Sequence, residues 1–449
     1  MARKNVLFLL IDCLRADAAH GDGRQADTPT LDALSRRGTI FTQAISVAGS
    51  TPVCLGSLFT GAYPFVHGIR PLSLNRFRLS TAKLNPNCRT VAEVLRDSGY
   101  GTYATVTGPI LHVTELGRGF QSYQHRQRDD VYLHGRFGED LRRLLSKLNS
   151  GERPWFLFVH LWELHAPRQV LPEFNSPRYG RDRYWRAVSS LDRQLEQLLK
   201  EVDFGTTLVI IHGDHGEGTR SLFEFLLHPS LHDRIGVRLM RLFYSVFFKW
   251  IHQYRFLQSA HGLNLYEYIV QVPLILVGAG IPEGRVVPDQ VSQVDIMPTL
   301  RDLLQVSQDD GAHIQGRSLC PLIAGERQHE RPVYMEAYSG KSVAPRYLPR
   351  RWVKVGSFRM PPALVAIRTS EWKCIWVPDD RRIRAELYHL KTDPLERKNL
   401  IAERPEVALE LQAQLPLLLQ DGELSGPDSF MSPEEQAVLE KKLRELGYI

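Results

Sequence analysis

The sequence has no uninterrupted run of about 18 apolar residues, so no membrane-spanning helix is predicted. It also has no CxxC pair, no internal repeat and no low-complexity tract, and its five cysteines are scattered along the chain. This cysteine pattern is typical of reduced thiols in a cytosolic protein. The apolar run near the amino terminus is short, ends at Asp12 and has no small-residue cleavage site. We therefore expect a strand there rather than a signal peptide, and a cytoplasmic protein.

The composition is that of an ordinary globular enzyme, with 43% hydrophobic and 24% charged residues among 449. This length predicts one large domain and a smaller one. The formal net charge is +6, which mildly favours anionic partners such as phosphate esters or acidic lipid surfaces. The positive charge is too diffuse for a nucleic-acid-binding surface, so no nucleic-acid partner is expected.

Two predicted strands have metal-binding side chains at their carboxyl ends. An apolar strand from Leu208 to Ile211 is followed by a glycine-rich turn that carries Asp214 and His215. The amino-terminal strand ends in the same way, at Asp12. Because functional crevices in open α/β sheets lie at the carboxyl ends of strands, we expect the three side chains to bind one divalent ion. The alternative for the second segment is a charged turn that only caps a helix.

A loop of small residues precedes a predicted helix in the stretch AGSTPVCLGSLFTG, which ends at Gly61. A hydroxyl group at the start of such a helix gains from the helix dipole, which also favours a bound anion. Ser50 and Thr51 are the candidates for this hydroxyl group.

The segments TPVCLGSLFTG and YPFVHG resemble the nucleophile segment of the sulfatase branch of the alkaline phosphatase superfamily. In that family the nucleophile lies nine residues before the threonine of a Thr-Gly pair, a position that is Thr51 here. Sulfatases proper have a C/S-x-P-x-R motif whose first residue is oxidised to formylglycine, but Val53 and Leu55 replace the proline and arginine. Threonine cannot form formylglycine. The resemblance therefore implies the threonine-using members, which are phosphodiesterases and phosphoglycerol transferases of the lipoteichoic acid synthase type.

The family resemblance extends in order over residues 4–402 and implies the fold. The expected fold is α/β, with a large mixed sheet sandwiched by helices and a smaller C-terminal antiparallel-sheet subdomain. The predicted boundaries are 1–325 for the catalytic domain, 326–425 for the C-terminal subdomain and 426–449 for a C-terminal helix. Ser432 is the predicted N-cap residue of that helix.

The resemblance also implies roles for the site residues. Asp12, Thr51, Asp214 and His215 are expected to bind one metal ion, with Thr51 as the nucleophile. His165 and His261 are implied to contact substrate oxygens or to protonate the leaving group. A second metal site, formed by Glu163 with these two histidines, is left open. His160, in the middle of a strand, is predicted to be a satisfied core residue.

Two departures from the family pattern favour phosphorus over sulfur as the reacting centre. The Lys-Trp-His segment that grips sulfate in many sulfatases is missing near residues 103–118, where only His112 is available. Calcium sulfatases have an acid followed by asparagine where this chain has Asp214 and His215. Nitrogen ligation favours zinc or manganese over calcium or magnesium.

Residues 219–260 form an insertion in which apolar and aromatic residues alternate with cations. Six cations outnumber two acids there, namely Arg220, Arg234, Arg238, Arg241, Lys249 and Arg255 against Glu224 and Asp233. This composition is typical of a basic amphipathic helix on a membrane surface, and a helical lid packed on the protein is the alternative. Farther along the chain, Arg346, Arg350, Arg351 and Lys354 are interpreted as a solvated loop, or else as a clamp for an anionic substrate.

Three function classes follow from these observations. The first is a metal-dependent hydrolase or transferase of phosphoesters, acting on an anionic substrate that is either free or lipid-linked. The second is a sulfatase that works without formylglycine. The third is a non-catalytic protein associated with a membrane, and the buried charges of the predicted site argue against it.

Overall fold

The structure of the chain is a computed structural model. It describes residues 4–21, 24–71, 73–75, 78–110, 112–126, 130–166, 168–218, 261–262, 264–306, 314–338, 354–357, 364–378, 385–415 and 432–445. The described strands are, in chain order, β1 (Asn5–Ile11), β2 (Gly38–Ile45), β3 (Ser73–Asn75), β4 (Arg78–Thr81), β5 (Gly101–Val106), β6 (Ser122–His125), β7 (Trp155–Leu161), β8 (Thr207–Gly213), β9 (Gln271–Gly278), β10 (Arg285–Ser292), β11 (Val333–Ala337), β12 (Lys354–Ser357), β13 (Leu364–Arg368), β14 (Trp372–Trp376) and β15 (Glu386–His389).

The described α-helices are α1 (Ala16–Ala19), α2 (Pro29–Arg37), α3 (Thr51–Thr60), α4 (Pro64–His67), α5 (Val91–Asp97), α6 (Arg136–Asn149), α7 (Arg183–Leu199), α8 (Glu267–Val270), α9 (Ile296–Leu304), α10 (Cys320–Ala324), α11 (Pro405–Ala413) and α12 (Pro433–Glu445). Short 3-10 turns cover His112–Thr114, Pro172–Phe174, Pro177–Tyr179 and Gln293–Asp295. Within the described ranges, none of these helices has the length and apolarity that a membrane span requires.

An eight-stranded sheet forms the centre of the molecule, in the order β10-β2-β9-β8-β1-β7-β5-β6. Strand β9 runs antiparallel to both of its neighbours, and the other pairs are parallel. The central strands read as continuous apolar runs because both faces of the sheet are covered. In β1, Val6, Phe8 and Leu10 contribute to one hydrophobic cluster, and Leu7, Leu9 and Ile11 to the cluster on the opposite face. This mixed sheet confirms the predicted α/β fold class.

The strand register brings three carboxyl ends together at one edge of this sheet. Ile11, the last residue of β1, pairs with Leu161 at the end of β7 and with Gly213 at the end of β8. The residues that follow these strands must therefore emerge side by side. This edge is where the sequence places Asp12 and Asp214.

Helix α2 buries Leu31 and Leu34, and Gly38 is its C-cap residue. Its first turn is capped by a residue from another helix. The Asp192 carboxylate of α7 accepts hydrogen bonds from the backbone amides of Thr30 and Leu31, at 2.9 Å each. These bonds satisfy amide groups that a helix leaves without an internal partner at its start.

A second, four-stranded sheet in the order β11-β13-β14-β15 is antiparallel throughout and lies within the predicted C-terminal subdomain. A three-stranded sheet of β3, β4 and β12, which the sequence analysis did not predict, joins distant parts of the chain. Helix α12 begins after Ser432, whose hydroxyl group accepts a bond from the Glu435 amide at 3.2 Å. The domain boundary near residue 325 stays a prediction.

Several sequence predictions concern residues outside the described ranges. The insertion 219–260 is one of them, together with Arg346, Arg350 and Arg351. The backbone of Lys354 lies in β12.

A buried ionic network connects the C-terminal sheet to the segment before β9. Lys373 of β14 is fully buried, and its ammonium group lies 2.8 Å from Glu267 Oε1 of α8 and 2.9 Å from the Leu265 carbonyl oxygen. Arg368 donates to the same glutamate at 2.9 and 3.0 Å. Burial alone would raise the pKa of Glu267, but Arg368 and Lys373 outweigh it and lower the pKa to about 2. Glu267 is therefore charged and depends on both cations.

We predict that Lys373→Met lowers the free energy of unfolding by about 3–5 kcal/mol, because it leaves buried carboxylates short of one cation. Urea unfolding followed by circular dichroism measures this change. Lys391→Met is the control, since this lysine pairs with Glu371 at an exposed position and its loss should cost less than about 1 kcal/mol. Equal effects of the two substitutions would contradict a stabilising role for the network.

Candidate metal centre and nucleophile

The structure brings the predicted metal ligands together at the shared edge of the central sheet. Asp12 directly follows β1, and Asp214 and His215 directly follow β8. All three are fully buried, and one ligand atom from each lies within 4.8 Å of the other two. His215 Nε2 is 3.4 Å from Asp214 Oδ2. The helix-capping alternative for this segment does not explain why the side chains converge.

Thr51 is the first residue of α3, and its hydroxyl group points into this cluster. Thr51 Oγ1 lies 3.2 Å from Asp12 Oδ2 and 3.3 Å from His215 Nε2. The nine-residue spacing counted in the sequence separates the first residue of this ten-residue helix, Thr51, from its last, Thr60. Gly61 then ends the helix in the left-handed conformation, at φ 68°, which glycine adopts without strain. Ser50, the other candidate, is the N-cap residue and makes no capping bond through its side chain.

The two carboxylates have the chemistry of a cation site. Burial and the neighbouring Asp12 raise the pKa of Asp214 to about 7. Burial alone would also raise the pKa of Asp12, but its hydrogen bond with His160 and the nearby imidazoles outweigh burial and lower it. Among the described residues, Asp214 Oδ2 has no hydrogen-bond partner. A divalent ion fits this set of two adjacent buried carboxylates and an imidazole nitrogen. It would also give the unpaired carboxylate oxygen a partner.

His165 and His261, the two predicted substrate contacts, lie beside this cluster. The ring centroid of His261 is 4.8 Å from that of His215 and 5.4 Å from that of His165. His165 stacks on Trp162 at 3.9 Å, and burial lowers its pKa to about 4. Burial alone would lower the pKa of His261 too, but the Glu217 carboxylate outweighs it and raises the pKa to about 9. One histidine is thus neutral and the other charged at neutral pH.

The prediction for His160 is wrong. His160 Nε2 lies 3.2 Å from Asp12 Oδ2, and its Nδ1 has no hydrogen-bond partner in the part of the chain that the structure describes. It is a residue of the site and not a satisfied core histidine. The reason is that β7 lies next to β1, so a side chain near the end of β7 reaches the acid that follows β1.

The second metal site that the sequence left open does not form from Glu163. Within the described ranges, this residue belongs to neither group of side chains close enough to hold an ion. Its Oε1 instead accepts a hydrogen bond from the Leu133 amide at 2.7 Å. The second group consists of Cys13, His215 and His261.

Two residues of the site were missed from the sequence. Glu217 Oε2 lies 2.7 Å from His261 Nδ1, and its position two residues after His215 was an available signal. Cys13 Sγ lies 2.8 Å from Asp12 Oδ1. Cys13 directly follows the predicted ligand Asp12, and this adjacency was the available signal for it.

We predict that zinc or manganese co-purifies with the protein at about one ion per chain, because two carboxylates and an imidazole suit these ions. His215→Ala should lose most of either metal and Asp214→Ala most of the manganese, as measured by elemental analysis of the purified proteins. His389→Ala is the matched control, since this histidine pairs with Glu371 away from the site. Metal retained in both site variants would place the ion elsewhere.

Comparison with known proteins gives two family matches. A family model described as Sulfatase matches residues 4–306, which is more than half of the 449 residues. A second, described as N-sulphoglucosamine sulphohydrolase, C-terminal, matches residues 262–421. The first match contains the whole cluster from Asp12 to His261.

Among curated relatives, Arylsulfatase K from Rattus norvegicus is 29% identical over 163 residues, 34% of this chain and 25% of that protein. The match therefore spans about a quarter of that relative's length. Ulvan-active sulfatase from Formosa agariphila is 24% identical over 378 residues, 72% of this chain and 65% of that protein. Among solved structures, the phosphonate monoester hydrolase of Agrobacterium radiobacter has a TM-score of 0.66 at 19% identity, covering 94% of this chain and 97% of that one. This likeness shows a shared fold.

Proposed function

The chain belongs to the sulfatase family, and from this premise we propose that it is a metal-dependent hydrolase or transferase of phosphoesters. The substrates would be phosphodiesters or phosphonate esters, with Thr51 as the nucleophile. The single observation that carries the proposal is the position of Thr51. Its hydroxyl group opens α3 and lies within 3.3 Å of both a buried carboxylate and a buried imidazole.

The first step needs a proton acceptor for the Thr51 hydroxyl group. Thr51 Oγ1 donates a hydrogen bond to Asp12 Oδ2 at 3.2 Å, which places this carboxylate to accept the proton. In the proposed step the proton passes to Asp12 while the Oγ1–P bond forms and the bond from phosphorus to the leaving oxygen breaks. A water or alcohol acceptor then attacks phosphorus and gives its proton to His261, once this imidazole has protonated the leaving oxygen, while Thr51 leaves and regains its proton from Asp12.

The other site residues would stabilise the negative charge on the phosphoryl and leaving oxygens during this exchange. His261, charged at neutral pH through Glu217, can neutralise phosphoryl oxygens or protonate the leaving oxygen. Thr51 stands at the start of α3, where the helix dipole favours an anion. A divalent ion held by Asp12, Asp214 and His215 would supply Lewis-acid stabilisation of the charge that develops on the oxygens.

A sulfate ester is the second candidate substrate, since two relatives are Arylsulfatase K and Ulvan-active sulfatase. The phosphonate monoester hydrolase among the structural neighbours supports phosphorus. Threonine at the nucleophile position also supports phosphorus, because it cannot become formylglycine. A direct comparison of substrates separates the two candidates.

We predict that the metal-loaded protein cleaves an aryl phosphodiester or aryl phosphonate ester faster than the matched aryl sulfate. Thr51→Ala should lower this turnover by more than about a thousandfold with the fold intact, while Thr51→Ser should retain part of it. Release of the aryl alcohol measures both expectations.

Cys54→Ala serves as the control because the Cys54 thiol donates to the Ala48 carbonyl at 3.1 Å and takes no part in the proposed step. This variant should keep most of the activity. Preferential sulfate cleavage, or a dead Cys54→Ala enzyme with an active Thr51→Ala enzyme, would contradict the proposal.

The insertion 219–260 leads us to propose further that the natural substrate is lipid-linked. Its composition is basic and aromatic, and its two ends belong to the site. Gly218 follows Glu217, which lies 2.7 Å from His261, so the chain leaves and re-enters at the edge of the cluster. A membrane-binding segment between these points would bring anionic lipid headgroups to the nucleophile.

We predict that the full chain co-sediments with anionic liposomes reversibly, and less at high salt. Each cation near the surface should contribute roughly 1 kcal/mol, and the insertion has a surplus of four over its acids. A chain with residues 219–260 replaced by a glycine-serine link should stay in the supernatant while still cleaving a small aryl diester. Failure of the full chain to bind at low salt would make the insertion a lid.

A further inference from the structure

We propose that Cys13, His215 and His261 form a binding position for one thiophilic divalent cation, such as Zn²⁺ or Co²⁺, beside the carboxylate position. One ligand atom from each of these side chains lies within 4.8 Å of the other two. In a tetrahedral zinc site, sulfur and nitrogen ligands are about 3.5 Å apart, so a small contraction would complete the coordination. A thiolate with two imidazoles is the donor set that soft cations select.

The backbone at Cys13 has an unusual conformation that hydrogen bonds to two distant side chains maintain. Its φ of 62° lies in the left-handed region, which residues other than glycine adopt rarely and which recurs at active sites. Two buried side chains hold this conformation: Asp214 Oδ1 accepts from the Cys13 amide at 3.0 Å, and the Tyr184 hydroxyl donates to the Cys13 carbonyl at 2.9 Å. Cys13 itself is fully buried, which places the sulfur away from solvent.

Both imidazole rings are oriented as metal ligands usually are. His215 Nδ1 lies 2.9 Å from the Gly216 carbonyl oxygen, and His261 Nδ1 lies 2.7 Å from Glu217 Oε2. In metal sites the second ring nitrogen commonly donates to a carbonyl or carboxylate group in this way, which fixes the ring and leaves Nε2 for the ion. Glu217 Oε2 is also 3.9 Å from Cys13 Sγ, so the same carboxylate contacts two of the three ligands.

The thiolate position and the carboxylate position share His215. Because Nδ1 of His215 is engaged with Gly216, only Nε2 remains for a cation, and one nitrogen cannot serve two ions. The softness of the ion would therefore decide which position is filled. Zn²⁺ or Co²⁺ would use Cys13, whereas Mn²⁺ would bind at Asp12 and Asp214 without the thiol. This inference does not depend on which ester the enzyme cleaves.

The test uses the full chain, stripped of metal by a chelator and titrated with Co²⁺. The wild-type protein should develop the near-ultraviolet charge-transfer absorption of a thiolate–cobalt bond. Cys13→Ser should lose this absorption and bind Co²⁺ about tenfold more weakly or worse, with its Mn²⁺ affinity unchanged within about twofold. Cys54→Ser, which alters another buried thiol outside the group, should keep the absorption.

Several outcomes would overturn the proposal. They are stoichiometric Co²⁺ binding by wild-type protein without the absorption, or an absorption that persists in Cys13→Ser. If Cys13→Ser fails to fold, His261→Ala decides. Loss or a marked shift of the absorption in that variant supports the site, and an unchanged spectrum contradicts it. The cobalt titration does not measure activity on any ester. Failure of the proposed cation site and failure of the phosphoester proposal can therefore be told apart.

Discussion

The arrangement of the site depends on two carboxylates that are buried side by side. Asp12 and Asp214 follow neighbouring parallel strands, and neither has exposed surface. The two carboxylates lose their hydration on burial and repel each other, and both effects raise the pKa of Asp214. The compensating groups are the three histidines His160, His165 and His215, which lower the pKa of Asp12. Burial of this charge is reasonable only if a cation completes the site.

The central sheet explains how the chain places these groups accurately. Strands β1 and β8 pair over their full length, so the positions of Asp12 and Asp214 are fixed by backbone hydrogen bonds. Helix α3 is buried along all ten residues, which fixes the direction of Thr51 at its start. The proposed catalytic groups are thus carried by rigid elements, as the positioning of the proposed nucleophile would require.

Sequence patterns predicted the parts of this site that local signals encode. The strands ending at Asp12 and Asp214 were recognisable because continuous apolar runs mark central strands, and Thr51 because small residues and a proline precede a helical pattern. His160 could not be interpreted correctly, because its partner Asp12 is 148 residues away in the chain and one strand away in space. The role of Glu217 likewise depends on His261, 44 residues later. For Cys13 the decisive property is a left-handed backbone, which tertiary hydrogen bonds impose.

Family membership describes the scaffold and the general hydrolase chemistry, while the reacting centre depends on individual residues. In this chain threonine opens α3, and histidine follows Asp214. The central claim is that Thr51 is esterified during turnover. The most direct measurement is peptide mass spectrometry of metal-loaded protein that is quenched with acid during turnover of an aryl phosphodiester. We predict a phosphoryl ester on the peptide that contains Thr51, located on that residue by fragmentation. A modification on any other residue, or none during steady turnover, would contradict the claim.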